Sequence, residues 1–280
     1  MTVIAFIGSV FSPYYAWARQ RGTADPLNHC AVNVSLYGPR GGRWAMTERG
    51  GGALSRDAQH LHIGPSALRW DGECLSVGID EVTVPLPSRL RGSLRLYPEA
   101  LTGRKLALDR AGRHHWWPVA PRARVELDFH QPALRWQGGG YFDSNAGAVA
   151  LEQSFHGWHW SRAHLKEGAA LLYNARERGG TTTSLALQVA RDGTVEPFPS
   201  PPEAALPRTL WRIGRQTQAD PSATPRVLRT LQDSPFYARS LVASRVRGED
   251  VTAVHESLDL NRFRHPLVQL MLPFRMPRRS

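Results

Sequence analysis

The stretch TTTSLALQVARDGTVEPF, Thr181 to Phe198, carries the pattern that decides the fold class. Alternating and β-branched side chains fill both of its ends, and an Asp-Gly pair lies between them at Arg191 to Gly193. Asp-Gly is a favoured turn pair of β-hairpins because both positions tolerate the backbone that a tight hairpin needs. The stretch therefore predicts two antiparallel strands joined by a turn, and not a helix.

Similar short stretches recur along the chain, each bounded by Gly, Pro or Asp-Gly. The segment Trp70 to Gly72 predicts a second hairpin turn. With 25 glycines, 21 prolines and few long windows of helical period, the sequence predicts an all-β protein, a sandwich or a barrel. Short helices are expected near Pro13 to Arg21 and near Leu54 to Gln59. The other strand-like stretches are TVIAFIGSVF, HCAVNVSLYG, ALRWDGECLSVGIDEVTV, GSLRLYP, ARVELDF and GAALLYNA.

Two β-units are the predicted domain organisation. One series of strands closes with PRARVELDF, and GGGYFDSN opens a second series of similar style. The boundary is expected around Gln131 to Gly138, which gives domains at residues 1–134 and 135–280. A chain of 280 residues is long enough to form them.

Charge and cysteine content exclude several classes of protein. The net charge is +11, but the arginines are scattered and Lys105 and Lys166 are the only lysines, whereas a nucleic-acid-binding protein clusters its cations on one face. Cys30 and Cys74 have no spacing typical of a metal site or of a disulfide framework. No apolar run reaches the roughly 18 residues of a membrane-spanning helix, so we expect a soluble or peripherally attached protein without a nucleic-acid partner.

Nucleotide and metal motifs are absent from the sequence. It contains no GxxxxGK[ST], GxSxG or HExxH pattern, and no GxGxxG between a strand and a helix. The histidines at His60, His62, His114 and His115 lack matched Cys or carboxylate partners at ligand spacing. We therefore expect no metal site and no nucleotide cofactor.

Aromatic residues are concentrated beside ionisable groups. In strand geometry His114 and Trp116 face one way while His115 and Trp117 face the other, and Trp158 and Trp160 share the face opposite His159. Packing in a core is the ordinary role of each tryptophan taken alone. Together they suit a long apolar ligand, because binding pockets are mostly hydrophobic with a few placed polar groups. The aromatic residues that lie beside ionisable groups are concentrated in three stretches, RHHWWP (113–118), GGGYFDSN (138–145) and SFHGWHWSRAH (154–164).

Asp143, in GGGYFDSNAG, allows two interpretations. If the segment is a strand, Tyr141 and Asp143 share one face and Phe142 takes the other, so a ring and a carboxyl group look into the same space. If the glycines and Ser144-Asn145 form a loop, Asp143 only caps its own backbone as an Asx turn.

Longer stretches resemble the bacterial carotenoid 1,2-hydratases, also called hydroxyneurosporene synthases. The resemblance runs from Met1 to the end of the chain and implies a cofactor-independent lyase. Such an enzyme adds water to the terminal C1=C2 double bond of acyclic carotenoids such as neurosporene or lycopene. The stretches that carry it are IAFIGSVFSPYYAWAR, DPLNHCAVNVSLYG, RWAMTERG, IGPSALRWDG, IDEVTVPLPSRLRG, DSPFYARSL, HESLDL and MLPFRMPR.

The resemblance also implies a fold, two lipocalin-like antiparallel β-barrel domains. Members of the family carry a further segment with its own aromatic-rich strand before the part that matches IAFIGSVFSPYY. The resemblance therefore implies either a different start of the chain or a first barrel that lacks this strand.

The reaction assigns roles to the residues that match the family. Hydration of an unactivated alkene needs a protonated acid, aromatic faces for a tertiary cation, and a water. Asp143 is expected to be the acid, with Tyr141 and Trp116 flanking the cation. Trp116 is preferred to Trp117 because the family usually has one tryptophan ahead of the proline. Secondary candidates for orienting water are His115, His159 and Glu152.

The location of the substrate gives a further expectation. An acyclic carotenoid lies in a bilayer, and the tail RFRHPLVQLMLPFRMPRRS places apolar residues between arginines. This pattern suits peripheral contact of a cytoplasmic protein with the inner or photosynthetic membrane, although an ordinary basic terminal strand fits it equally well. The alternative function is a non-catalytic lipocalin-like carrier of a carotenoid or isoprenoid, in which Asp143 would point out of the cavity.

Overall fold

A computed structural model describes residues 1–22, 24–38 and 42–279 of the chain. Strands dominate this part of the chain, as the sequence predicts. They are β1 Thr2–Ile7, β2 Cys30–Leu36, β3 Arg43–Arg49, β4 Leu54–Arg56, β5 His60–Ile63, β6 Ser66–Trp70, β7 Leu75–Val82, β8 Arg89–Pro98, β9 Leu106–Ala107, β10 His114–Gln131, β11 Ala133–Gly147, β12 Phe155–Leu165, β13 Gly168–Glu177, β14 Thr182–Val189, β15 Val195–Pro197, β16 Glu203–Leu206, β17 Arg215–Gln218, β18 Arg226–Asp233, β19 Tyr237–Val246, β20 Glu249–Asp259 and β21 Arg278–Arg279.

Helices are short in the described residues. Four are α-helical: α1 Pro13–Gln20, α2 Leu151–Ser154, α3 Leu260–Phe263 and α4 Pro266–Met271. Three 3₁₀ turns span Pro26–Asn28, Gly51–Ala53 and Leu272–Phe274. None of these helices is long and apolar enough to cross a membrane.

The predicted hairpins are confirmed. Strands β14 and β15 pair antiparallel from Leu187 with Pro197 to Val189 with Val195, around the turn that contains Gly193. Strands β6 and β7 pair in the same way around Gly72. Both glycines have positive φ values, 89° and 102° respectively, a backbone conformation that glycine adopts without a steric penalty.

One helix prediction is confirmed and the other is wrong. The predicted first helix is α1, whose N-cap is the Ser12 hydroxyl, accepting from the Tyr15 backbone N–H at 3.1 Å. The segment from Leu54 is instead a strand, β4, which pairs with β5. Asp57 causes the difference, because its carboxylate accepts from the backbone N–H groups of Gln59 and His60 and turns the chain back on itself.

The chain divides into two compact units, each built from separate segments. The predicted domain boundary between residues 134 and 135 falls within β11 and stays a prediction. Unit 1 comprises Met1–Tyr97, Arg124–Gly140 and the described part of Pro266–Ser280, and unit 2 comprises Pro98–Ala123 and Tyr141–His265.

Unit 1 contains two antiparallel arrays. One has the strand order β1, β2, β3, β21, in which only β21 runs parallel to its neighbour. In the other, β4 to β8 follow one another, and the parts of β10 and β11 that belong to this unit extend the sheet beyond β8. The main hydrophobic cluster lies on alternate positions of these strands, which point to one face of each sheet, although both faces of β2 are buried. Its most buried members are Cys30, Val32, Val34, Ala45, Ile63 and Leu90.

Unit 2 is built on a seven-stranded antiparallel sheet with the order β15, β14, β13, β12, β20, β19, β18. Strands β16 and β17 form a separate hairpin, and β9 pairs with the start of β10. No sheet of the described residues closes into a barrel. The all-β prediction is therefore confirmed in its coarse form, a protein of several antiparallel sheets.

Candidate active site

Asp143 lies within a strand, so the Asx-turn interpretation is wrong. The whole stretch from Gly138 to Gly147 belongs to β11. Tyr141 and Asp143 are two residues apart in that strand and share one face, as the strand interpretation predicts.

Trp116 is the direct partner of Asp143. Its indole Nε1–H donates to Asp143 Oδ2 at 2.9 Å, and the side chain is fully buried in β10. Trp117 faces the other way and donates instead to the Thr102 carbonyl oxygen at 2.6 Å. The structure thus brings together the three residues expected at the site, Trp116, Tyr141 and Asp143.

The surroundings of Asp143 favour its protonated form. Desolvation of the carboxyl group is the largest influence and raises its pKa to about 6, although the residue as a whole keeps some exposure. The hydrogen bond from Trp116 acts in the opposite direction, since it stabilises the carboxylate. Glu256 raises the pKa of Asp143 further by charge repulsion, and Arg239 lowers it. A carboxyl group with this pKa is a usable general acid near neutral pH.

Tyr141 is held between two side chains of β12. Its ring lies 5.2 Å from the Trp160 ring, centroid to centroid, and the Arg162 guanidinium lies 5.7 Å from its centroid. Burial and the neighbouring Asp143 raise the pKa of Tyr141 well above its usual value, so the hydroxyl keeps its proton. The hydroxyl lies close enough to Asp143 to lower the pKa of that carboxyl group, but within the described residues it is buried and makes no hydrogen bond of ordinary distance and angle. It therefore has the capacity to bind a small polar molecule.

Further rings extend the aromatic surroundings of Asp143. Tyr173 in β13 contacts Trp116 at 5.3 Å and Trp158 at 6.0 Å between ring centroids. Phe155 in turn contacts Trp158 at 6.4 Å. Trp158 and Trp160 share the face opposite His159, as predicted, because their cross-strand partners Ala175 and Tyr173 alternate with Asn174, the partner of His159.

A second carboxylate lies on the same face of the sheet. Glu256 of β20 is the cross-strand partner of Trp160, and Arg239 of β19 is the cross-strand partner of Glu256. Arg239 donates to Glu256 Oε1, and their side chains are 8% and 19% exposed. The sequence reasoning missed this pair, because the order of strands in the sheet is not written in the local pattern.

The secondary candidate His159 lies on the reverse face of β12. Its Nδ1 is 2.9 Å from the Ser257 hydroxyl, and its ring stacks on His255 at 6.1 Å. Desolvation lowers the pKa of His159 to about 3 and that of His255 to about 4, so both rings are neutral at physiological pH. A small cleft is lined by His159, Asn174, Gln216 and His255 among others, and Asp143 is not part of its lining.

The other two secondary candidates also lie away from Asp143. His115 is exposed on the face of β10 opposite Trp116, where it pairs with Ala107 of β9. Glu152 lies in α2, and its backbone oxygen accepts from Arg178 Nε at 2.6 Å. The structure therefore does not bring His115, His159 or Glu152 together with the three main candidates.

Metal ligation finds no support in the described part of the chain, where no group of three or more His, Cys, Asp or Glu side chains could hold an ion. The arrangement around Asp143 is instead a proton-bearing carboxyl group enclosed by π-systems. Such a site can protonate a weakly basic, apolar ligand and stabilise the cation that results.

Relatives of known function match nearly the whole chain. An acyclic carotenoid 1,2-hydratase of Thiocapsa roseopersicina is 57% identical over 279 residues, which cover 99% of this chain and 69% of the relative. A protein of the same name from Rubrivivax gelatinosus is 48% identical, covering 100% of this chain and 70% of the relative. In Cereibacter sphaeroides the protein of that name is 45% identical and is covered to 98% of its length.

One solved structure and one protein family also match this chain. The crystal structure of CghA with Sch210972 resembles the chain with a TM-score of 0.51 at 12% identity, covering 83% of this chain and 84% of that one, a likeness of fold alone. Residues 3–280 match the family described as carotenoid hydratase CrtC. The chain therefore belongs to the carotenoid hydratase family.

Proposed function

We propose that this protein adds water across the terminal C1=C2 double bond of an acyclic carotenoid such as neurosporene or lycopene, without a cofactor. The observation that carries the proposal is the carboxyl group of Asp143, which has a raised pKa, accepts from the buried Trp116 and lies among aromatic rings. The activity named for the relatives supports the same reaction.

Protonation is the first step of the mechanism. The O–H bond of protonated Asp143 breaks, its proton bonds to C2 through the π-electron pair, and a tertiary cation forms at C1. Because the alkene is a very weak base, the acid must be protonated when substrate binds, and desolvation raises the fraction of molecules in which it is. At pH 7 a group with a pKa of about 6 is protonated in roughly one molecule in ten.

Stabilisation of the cation is the role of the rings. The faces of Trp116 and Tyr141 adjoin the acid, and a ring face stabilises a nearby cation by about 0.5–2 kcal/mol. An aromatic face offers no lone pair that would trap the cation covalently. The Trp116 N–H bond to Asp143 strengthens as the carboxylate forms, which lowers the barrier to the proton transfer.

Water attack completes the reaction. A water molecule donates an oxygen lone pair to C1, and the Asp143 carboxylate takes up the proton that the water loses, which regenerates the acid. The Tyr141 hydroxyl stays protonated and has no partner in hydrogen-bonding geometry among the described residues, so it can hold the water by donating to it. The product is a 1-hydroxy carotenoid.

The carrier is the alternative function. A carrier needs the rings but not a protonated carboxyl group among them, and it predicts that Asp143 points away from them. The hydrogen bond between Trp116 and Asp143 favours the hydratase, because it fixes the acid against the aromatic cluster. This cluster consists of Trp116, Tyr141, Trp158, Trp160 and Tyr173.

Finer aspects of the fold are also proposals. We infer that the two units correspond to the two lipocalin-like domains that the family resemblance implies, each built on open antiparallel sheets. The all-β content and the antiparallel order of the sheets support this assignment.

Membrane contact is the last part of the proposal. Leu267, Leu270, Met271 and Phe274 repeat at helical spacing in α4 and the following 3₁₀ turn, and we name them the C-terminal apolar patch. Their exposed fractions are 65%, 61%, 45% and 77%, whereas Leu272 and Met276 are buried. An exposed apolar helical face marks an interaction surface. The cationic chain and the lipid-soluble substrate favour an anionic membrane as its partner, reached from the cytoplasm.

The test of the reaction uses lycopene in lipid vesicles and water labelled with heavy oxygen. The wild-type protein should form a singly labelled tertiary alcohol without added cofactor. Asp143→Asn keeps the size of the side chain and an acceptor for Trp116, and it should lower the rate by about 100-fold or more. Asp250→Asn, which removes an exposed carboxylate of β20, serves as the control. Full activity of a folded Asp143→Asn protein would refute the assignment, and binding without any labelled product would favour the carrier.

A further inference from the structure

The Glu256–Arg239 pair lies on the face of the sheet that carries the aromatic cluster. Glu256 pairs across strands with Trp160, and Trp160 pairs with Tyr173 on its other side. Directly paired residues of an antiparallel sheet point to the same face. Tyr173 contacts Trp116, whose indole donates to Asp143. Neighbouring positions on one face of the sheet therefore lead from Glu256 to Tyr173, and the ring of Tyr173 contacts Trp116, the hydrogen-bond partner of the proposed acid.

Both members of the pair are largely withdrawn from water, which lengthens the range of their charges. The side chains of Arg239 and Glu256 are 8% and 19% exposed, and Arg239 is also stacked 5.7 Å from the Tyr237 ring. Charges in such surroundings are screened far less than charges on the surface. A fold that needed only packing here would gain as much from apolar side chains.

We propose that Glu256 is a positioning residue for the hydration, which keeps Asp143 in its proton-bearing form, and that Arg239 holds Glu256 in place and limits its effect. The inference rests on the proposed function, because it gives Asp143 the role of acid. Neither member of the pair touches the reacting atoms in this proposal.

The effects of Glu256 and Arg239 on the pKa of Asp143 agree with the roles proposed for them. Glu256 raises the pKa of Asp143 after desolvation, and Arg239 lowers it. Glu256 and Asp143 also both raise the pKa of Tyr173, after the larger effect of burial, so this tyrosine lies within electrostatic reach of the two carboxyl groups. The titratable and charged groups that face Asp143 are Tyr141 on β11, Arg162 on β12 beyond Tyr141, Tyr173 on β13, Arg239 on β19 and Glu256 on β20.

The direction of the pH dependence follows from the acid role. Activity requires protonated Asp143 and is lost as the pH rises through its pKa. Removing the charge of Glu256 lowers that pKa, so the loss of activity moves to lower pH. At a pH above the pKa, lowering the pKa of Asp143 by about one reduces its protonated fraction roughly tenfold. Removing the charge of Arg239 moves the profile in the opposite direction.

The experiment compares kcat/KM of the full-length protein on lycopene vesicles across the pH range. Glu256→Gln should lose activity by about threefold or more at pH 7.5 and match the wild-type protein at low pH, where Asp143 is protonated in both. Arg239→Gln should extend activity to higher pH. Glu256→Asp, which keeps the charge, should restore most of the wild-type midpoint. Asp250→Asn, whose partner Arg245 pairs with it across the same two strands, should leave the midpoint unchanged.

A measurement without substrate separates this inference from the proposed function. The carboxyl signal of Asp143, identified by its loss in Asp143→Asn, is titrated by ¹³C NMR in the wild-type and Glu256→Gln proteins. A lower midpoint in Glu256→Gln supports the positioning role, and an unchanged midpoint in the folded variant overturns it. A lower midpoint combined with full activity of Asp143→Asn would leave the effect of the pair on Asp143 standing and overturn the acid role.

Discussion

At the scale of single residues, the charge of Asp143 is decided by opposing neighbours. Desolvation and Glu256 favour the protonated carboxyl group, while the Trp116 N–H and Arg239 favour the carboxylate. An acid that must give up a proton and then recover it benefits from both influences. Burial alone would hold the proton too firmly, and a donor alone would remove it before substrate arrives.

The variant Trp116→Phe tests how much the hydrogen bond from Trp116 lowers the pKa of Asp143. The variant removes the N–H that donates to Asp143 at 2.9 Å and keeps an aromatic ring. Since a hydrogen bond to a charged group contributes about 1.5–3 kcal/mol, the pKa of Asp143 should rise by about one to two. The alkaline loss of activity should then move to higher pH. The maximal rate should fall at the same time, because phenylalanine stabilises a cation less well than tryptophan.

Trp117→Phe is the matched control for this pH profile. It makes the same change one residue along β10, where the indole donates to Thr102 and not to Asp143. An equal change of the midpoint in both variants would contradict the role of the Trp116 hydrogen bond.

The residues of the site were predictable where they depend on local geometry. The period of a strand places Tyr141 and Asp143 on one face and separates Trp116 from Trp117, which needs no knowledge of the fold. Glu256 and Arg239 were not predictable in this way. They reach Asp143 only because β20 and β19 follow β12 in the sheet, and no local pattern encodes that order.

At the scale of elements, β12 separates two environments. One face carries Trp158 and Trp160 toward the aromatic cluster, and the other carries His159 toward Ser257 and His255. A slip of one residue in the register would exchange these faces and destroy the site. The register of β12 is therefore as important for function as the identity of its side chains.

Gly157 is the position in β12 where this register can be tested. It pairs with Asp259 of β20 beside a bulge, and a Cβ atom there would lie 2.1 Å from the Leu258 backbone oxygen. Because backbone must move to relieve this contact, Gly157→Ala should lower the free energy of unfolding by about 2 kcal/mol or more. The measurement is the midpoint of urea denaturation.

Gly179→Ala provides the comparison for Gly157. A Cβ atom at Gly179 meets no other atom within 4 Å, so the variant should stay within about 0.5 kcal/mol of the wild-type protein. If both variants unfold at the wild-type midpoint, the close approach of β12 and β20 at Gly157 does not limit stability.

The elements themselves were predictable to the extent that turns are local. Hairpins with Asp-Gly turns were identified correctly, and so was α1 with its Ser12 cap. The segment from Leu54 misled because its composition suits a helix, while the turn at Asp57 and the pairing of β4 with β5 decide its structure. Tertiary pairing overrides weak helical preference in such short segments.

At the scale of the whole molecule, part of the arginine content serves ion pairs inside the protein, which leave the net charge of +11 unchanged. Several arginines form ion pairs with acids: Arg49 with the buried Glu81, Arg239 with the half-buried Glu256 and Arg122 with the exposed Glu99. Scattered arginines are expected where each serves a separate partner. The scatter of the arginines therefore does not indicate a nucleic-acid-binding face. Contact with a membrane must be sought where cations adjoin exposed apolar side chains.

The C-terminal apolar patch meets this condition, and its removal should weaken membrane binding. The double variant Leu270→Ser/Phe274→Ser replaces two exposed side chains, each worth roughly 1.5–3 kcal/mol when fully buried. Partial insertion of both should make binding to phosphatidylglycerol vesicles at least tenfold weaker, as measured by flotation. Leu86→Ser is the control, since Leu86 is 83% exposed outside the patch.

Raised salt should weaken the binding of the wild-type protein to these vesicles only in part, because screening removes the contribution of the arginines and leaves that of the apolar side chains. Flotation of the double variant equal to that of Leu86→Ser would show that another surface meets the lipid.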